Sequence, residues 1–271
     1  MSLKEKVILS VSRITDALFY RERIPILYYH RVNDLPSSVD SSPGVEFFQR
    51  QIQLLYKRGY YFASLREVIE WCKGLIDLPA NSIAITFDDG YEDNYANVFP
   101  ILKKYNAKAT IFLIHDYIGQ TRYFSYNRNV PQKILPEDYN PLTDLEHKYL
   151  TLQQIREMYN SGLVEFGSHT LSHMSLVYCD IYKAKEEIVE SKKALEELLD
   201  LPIDTFCYPY GHYNCTIKKI VRNTGYIGAF TTEKGRIKKN DDVFKLKRIV
   251  DRNIHVHMPP IIRKMGRILP L

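Results

Sequence analysis

The chain carries only four cysteines, Cys72, Cys179, Cys207 and Cys215, and no two of them form a Cys-x-x-Cys pair. Such spacing supports neither a structural zinc cluster nor a disulfide framework, and it fits a reducing compartment. Long apolar runs are missing as well. The longest near the start, Val7 to Leu9, is cut by Ser10 and soon by Arg13, so it is shorter than a signal-peptide core and far shorter than a membrane span. The expectation is a chain that begins in the cytoplasm. No block of one charge stands out: 37 Lys and Arg against 32 Asp and Glu leave +5 spread along the chain, so no nucleic-acid partner is expected. Repeats and low-complexity tracts are also lacking. What remains is 271 residues with 45% hydrophobic content, enough to fill a core and to exclude intrinsic disorder. A single Trp contrasts with 21 Tyr. A phenol has a flat apolar face and a hydrogen-bonding tip, which suits half-buried barrel walls and sugar rings alike.

Short apolar runs alternate with helical patterns, the signature of β/α units around a parallel sheet. Strands are expected over 24–29, 82–87, 109–114, 163–166, 205–208, 226–230 and 245–250, each rich in Ile, Val, Phe or Tyr. Seven of them favour a closed barrel over an open sheet. Ser64-Leu65-Arg66-Glu67 and Thr151-Leu152-Gln153-Gln154 read as capping boxes that start helices. Gly59, Gly162 and Gly225 follow helical patterns and precede apolar runs, as helix C-terminal caps do. Over 181–199 the residues Ile181, Ala184, Ile188, Leu195 and Leu198 fall on one helical stripe. Residues 116–149, rich in Tyr and Pro with little periodicity, read as a long functional loop. Residues 1–23 are expected to hold an amphipathic helix, 24–252 the barrel, and 253–271 a basic and apolar tail; either end suits a membrane surface or the barrel wall.

Polar residues cluster where these strands end: Tyr29 and His30, Asp88 and Asp89, His115, Ser168 and His169, Pro209 and Tyr210, Arg248 and Asp251. In a parallel barrel those ends share one rim, where active sites form. Asp88 and Asp89 are adjacent acids, and each raises the other's proton affinity unless a cation or an Arg stands beside them. The same pair also suits a plain turn with Asp88 capping the next helix. His169 and His173, four apart, are expected on one side of a helical turn, where both rings reach one metal. With one Asp they form a two-His, one-carboxylate set that leaves positions open for water and substrate.

Three runs, Thr86-Phe87-Asp88-Asp89-Gly90, His169 to His173 and Phe206-Cys207-Tyr208-Pro209-Tyr210-Gly211, resemble in order and spacing the motifs of the polysaccharide deacetylase family. These are the NodB-homology enzymes of carbohydrate esterase family 4. Tyr28-Tyr29-His30-Arg31-Val32 and Leu246-Lys247-Arg248-Ile249 resemble the subgroup acting on surface and biofilm polysaccharides, so the likeness spans residues 24 to 250. The resemblance implies an α/β fold, a deformed (β/α)7 barrel of the NodB-homology, glycoside hydrolase-deacetylase type. It implies a hydrolase that removes N-acetyl groups from an amino-sugar polysaccharide, oligosaccharide or lipid-linked precursor with a divalent metal, zinc first, cobalt and nickel as alternatives. Asp88 then matches the family's general base; Asp89, His169 and His173 its metal ligands; and Tyr210 the backbone N–H that steadies an oxyanion.

Two positions depart from the pattern. Where better-known members carry an Arg in the third motif, this chain has Cys207, and Arg248 on the last strand is the candidate substitute partner for Asp88; closing the barrel against a carbonyl is its alternative role. Neither His255 nor His257 has an apolar residue two positions earlier, unlike the family's terminal catalytic His. His255 and His30 are therefore both candidates for the general acid. Two other functions fit the same fold: hydrolysis of a formyl or other amide, and a catalytically silent carbohydrate-binding barrel. Expected partners are an N-acetylated glycan and the inner membrane face or a lipid-linked sugar.

Overall fold

The computed structural model describes residues 23–35, 42–125, 133–134 and 144–250, with 123–125, 133–134 and 144–145 described by backbone alone. The first elements are β1 (Ile26–Tyr29), α1 (Val45–Lys57), β2 (Tyr61–Phe62), α2 (Leu65–Cys72), β3 (Ser82–Phe87), α3 (Phe99–Tyr105) and β4 (Ala109–Leu113). Next come β5 (Thr121–Ser125), β6 (Lys133–Ile134), β7 (Asp144–Lys148), α4 (Leu152–Asn160), β8 (Val164–Ser168) and α5 (Ile181–Leu199). The chain continues through β9 (Thr205–Cys207), α6 (Cys215–Asn223), β10 (Gly228–Lys234) and β11 (Leu246–Val250).

Seven strands close a parallel ring in the order β1, β11, β10, β9, β8, β4, β3, and the ring shuts where β1 pairs with β3 from Ile26↔Ala84 to Tyr29↔Phe87. All seven expected strands are present. The eighth, β2, was not expected, being only two residues long. It pairs with Ser82 and Ile83 at the start of β3, whereas β1 takes the rest of that strand. The barrel is thus deformed: β3 exchanges one neighbour for another along its length, and closure falls at its C-terminal half, just below the two acids.

Side chains alternate along the strands as the pleat demands. Leu27, Ile85, Ile111, Phe206 and Ala229 belong to the cluster shared with the outer helices, while Ile26, Ala84, Phe112, Cys207 and Phe230 form a second cluster with α2. Ile69 of α2 comes so close to Gly228 that a Cβ there would meet it at 2.6 Å. Both capping boxes form, with Ser64 and Glu67 exchanging bonds at α2 and Thr151 and Gln154 at α4; each cap is worth about 1 kcal/mol. Gly59, Gly162 and Gly225 take left-handed φ after α1, α4 and α6. Among the described residues no helix is long and apolar enough to cross a membrane.

Two expectations are corrected. Part of the segment 116–149 is an antiparallel sheet, in which β5 pairs with both β6 and β7; these short strands carry too little alternation to mark them in the sequence. On α5 the buried face is Ala184, Glu187, Ile188, Ser191, Leu195 and Leu199, while Ile181 and Leu198 are exposed. The apolar stripe misplaced the face because two polar residues bond inward. The expected N-terminal helix and C-terminal tail, with Asp251, His255 and His257, lie outside the described residues.

Candidate active site

Asp88 continues the β3 ladder, its N–H donating to the Tyr29 carbonyl at 2.9 Å. Asp89 and Gly90 then both take left-handed backbone, with φ of 73° each, and turn the chain away at the rim. A Cβ on Gly90 would meet Leu113 at 2.8 Å, so this turn needs glycine. The Asp88 carboxylate is buried, and Arg248 holds it with two parallel bonds: Nη1 donates to Oδ1 and Nη2 to Oδ2, each at 2.7 Å. The rest of the guanidinium is used as well. Nε donates to the Thr231 carbonyl at 2.9 Å, Nη1 to Thr86 Oγ1 at 3.1 Å, and Nη2 reaches Cys207 Sγ at 3.1 Å. Arg248 therefore has both roles open to it in the sequence, partner of the acid and clasp on a strand carbonyl. Burial by itself would raise the Asp88 carboxyl, but the charge and hydrogen bonds of Arg248 outweigh it, with His169 and His30 assisting, and hold it well below the usual carboxylate range.

Asp89 faces the two histidines. Nε2 of His169 and Nε2 of His173 each lie 3.5 Å from the same Asp89 oxygen, Oδ1, which is buried and accepts no hydrogen bond from the protein. His169 Nδ1 lies 2.8 Å from the Cys207 carbonyl, which can only accept, so the ring proton sits on Nδ1 and Nε2 presents a lone pair. Burial, with His173 beside it, pulls His169 down to about 4, so the ring is neutral at pH 7. A lone pair and a carboxylate oxygen thus point at one another across 3.5 Å, an arrangement that a cation between them resolves. The donor atoms of Asp89, His169 and His173 all lie within 4.8 Å of one another, and the set fits a divalent metal. Asp88, His169 and Cys207 meet the same distance limit. There, however, the Arg248 guanidinium already balances the Asp88 charge, and burial pushes the Cys207 thiol far up.

The histidines do not share a helical turn as expected; residues 169–173 are loop, with Thr170 at φ 70° and His173 at φ 64°. Asp89, Thr170, His173 and Tyr210 are four of seven non-glycine residues with left-handed φ among the described residues, so backbone strain concentrates here. What holds the loop is Glu187 on α5, a fully buried acid that accepts from Ser172 N–H at 2.9 Å and Ser172 Oγ at 2.7 Å. Ser168 Oγ pairs with Ser191 Oγ at 2.8 Å beneath it. Neither Glu187 nor Ser191 was singled out in the sequence; the signal was a polar residue on the helix stripe that also carries Ala184 and Ile188. Glu187→Ala is expected to weaken metal affinity by about 10- to 100-fold, the usual cost of losing support behind a ligand. Competition with a chromogenic chelator measures it.

Tyr91, Tyr149 and Tyr117 cluster near Asp89. Tyr91 stacks on Tyr149 at 5.0 Å, Tyr117 packs edgewise on Tyr149 at 4.9 Å, and Arg122 from β5 lies 3.5 Å over the Tyr117 ring. Burial raises all three phenols, and the nearby Asp89 charge adds to that. From the antiparallel insert, β5 thus contributes Arg122 to this cluster. Tyr210, in the turn after β9, has φ 60° and is exposed, its ring 4.8 Å from that of His173. His30 is exposed directly after β1, and its carbonyl accepts from Asn94 at 3.0 Å. His115 pairs with Asp116 at 2.9 Å.

Comparison with known proteins gives concordant results. Residues 76–229 match the family described as polysaccharide deacetylase. A putative polysaccharide deacetylase of Bacillus subtilis, YxkH, is 30% identical over 84% of this chain and 71% of its own. A poly-beta-1,6-N-acetyl-D-glucosamine N-deacetylase of Staphylococcus epidermidis is 29% identical over 84% of this chain and 78% of its own. Among solved structures, the Streptococcus pyogenes deacetylase PplD in complex with acetate superposes with a TM-score of 0.70 at 29% identity, covering 88% of this chain and 99% of that one.

Proposed function

The chain belongs to the polysaccharide deacetylase family, hydrolases acting on N-acetyl amide bonds, and from that premise we propose that it removes N-acetyl groups from an amino-sugar glycan in a metal-dependent reaction. The observation that carries the metal is the buried Asp89 Oδ1, faced by two imidazole nitrogens at 3.5 Å and bonded to nothing in the protein. When bound by Asp89, His169 and His173, zinc, or cobalt or nickel in its place, supplies Lewis acidity and lowers the pKa of water. Asp88 acts as general base, taking a proton from the attacking water. It suits that role because Arg248 keeps it ionised and fixes the plane of its carboxylate. The Tyr210 backbone N–H is the donor assigned to the oxyanion. His255, outside the described residues, and His30, exposed at the rim beyond β1, are the candidates to return a proton to the departing amine.

The substrate class we favour is a poly-N-acetylglucosamine chain, on the likeness to the staphylococcal enzyme. The test is acetate release from 1,6-linked N-acetylglucosamine oligomers, with free amine counted in parallel. Equal amounts of both are expected, with loss of at least 95% of the rate after chelation (about 2 kcal/mol of barrier) and recovery on adding zinc. Formate released in preference from an N-formyl analogue would reassign the amide. Oligomer binding without turnover under every metal supplement would make the barrel a silent carbohydrate binder.

A further inference from the structure

Arg122 is a cation near the site that no acid answers. Two other arginines of the strand ends are each held by an aspartate: Arg31 Nε lies 2.7 Å from Asp93, and Arg248 Nη2 lies 2.7 Å from Asp88. Arg122, on β5, has no carboxylate partner among the described residues. Its neighbour is a ring, the guanidinium carbon lying 3.5 Å from the centre of Tyr117. A guanidinium covered on one face by a phenol keeps its fork of N–H donors for something else.

The platform beneath it is anchored at the reacting centre. Tyr117 O–H donates to the Ser172 carbonyl at 3.4 Å, one residue before the metal donor His173, and its ring packs edgewise on Tyr149 at 4.9 Å. Burial raises both phenols and the Asp89 charge adds to it, as it does only for rings close to that carboxylate. On the strand side Arg122 is set directly opposite His147 of β7. The two acids of the site make no demand on this cation: Asp88 is balanced by Arg248, and Asp89 by the metal its donor set fits. What is left is a stacked, half-buried positive charge whose donors match the paired oxygens of a phosphate or a carboxylate.

We propose that Arg122 is a specificity residue that receives an oxyanion carried by the substrate, a phosphate or carboxylate on the amino sugar or on the group attached to it, so that charged glycans are deacetylated in preference to neutral ones. This rests on the deacetylase reading above. It leaves the neutral poly-N-acetylglucosamine chain a substrate and makes it the slower one.

The experiment compares kcat/KM on the neutral 1,6-linked N-acetylglucosamine trimer with that on the same trimer carrying a phosphate at either end or a terminal uronate. At least one charged trimer is expected to be favoured about tenfold, the lower end of what a hydrogen bond to a charged group carries; which one is favoured identifies the oxyanion and its place. Arg122→Met should bring the charged-to-neutral ratio close to one, Arg122→Lys should keep part of the preference, and Arg50→Met, on the exposed side of α1, should leave the ratio as it was. Melting temperatures check the fold of each variant. A series in ionic strength needs only the wild-type protein: the preference should shrink between about 0.05 and 0.5 M salt, as the screening length falls below 10 Å. An active enzyme that takes charged and neutral trimers alike, or whose preference survives in Arg122→Met, overturns the role of Arg122 and leaves the deacetylase reading standing. No acetate from any trimer overturns the reading itself.

Discussion

Asp88→Asn is expected to lower acetate release by about 10²- to 10⁴-fold, the contribution typical of a positioned general base. The amide keeps the shape of the carboxylate and cannot accept the water's proton, so the loss should fall on kcat, with oligomer affinity within a few-fold of wild type. Calorimetric titration with oligomer and a single-turnover assay together separate the two quantities. Arg248 would then be buried against a neutral group, so folding at the assay temperature must be verified by near-ultraviolet circular dichroism. A folded Asp88→Asn protein that keeps activity within tenfold of wild type would remove Asp88 from the mechanism.

The second large effect is expected at the other end of that pair. Arg248→Leu strips a fully buried carboxylate of its partner, and breaking a buried pair in this way costs about 3–5 kcal/mol, to be read from urea unfolding at neutral pH. The pH dependence has a definite sign. In the wild-type protein Asp88 titrates below its unfolded value of 3.8, so the stability it contributes is complete above that value and is lost only as pH falls towards the folded pKa. Without the arginine, burial dominates and the folded carboxyl titrates above its unfolded value. The variant then gains relative stability on acidification, and the gap to wild type narrows as pH falls. Because the base must be ionised, the acid limb of the rate profile should move up towards neutrality, whereas in wild type Asp88 imposes no such limb between pH 5 and 7. An unshifted acid limb in the leucine variant would dissociate Arg248 from the tuning of the base.

Much of this was legible beforehand, for reasons that can be traced to residues. Each barrel strand is a short apolar run closed by a turn signal, and buried parallel strands advertise themselves in that way. Ser64 and Thr151 announce their helices because a cap is a local interaction needing only residues three apart. Arg248 could be suspected as the partner of Asp88 because an acid in a barrel mouth needs one and the usual position holds Cys207. What escaped depended on distant contacts. Spacing of four cannot distinguish a helical turn from a loop bent by left-handed Thr170 and His173. Glu187 faces inward only because Ser172, fifteen residues away, offers it an N–H and a hydroxyl. The strands β5 to β7 lie among polar and proline-rich residues and owe their form to pairing with one another.

The clasp between Arg248 and Asp88 also has a temporal side. Asp88 leaves the ribosome 160 residues ahead of the arginine that holds it, and the strand bearing that arginine is the last of the ring to be synthesised. Until it emerges, the nascent chain has an open seam between β1 and β10 and an uncompensated acid beside it. Within the described ring, the acid is therefore compensated only once the last strand is in place.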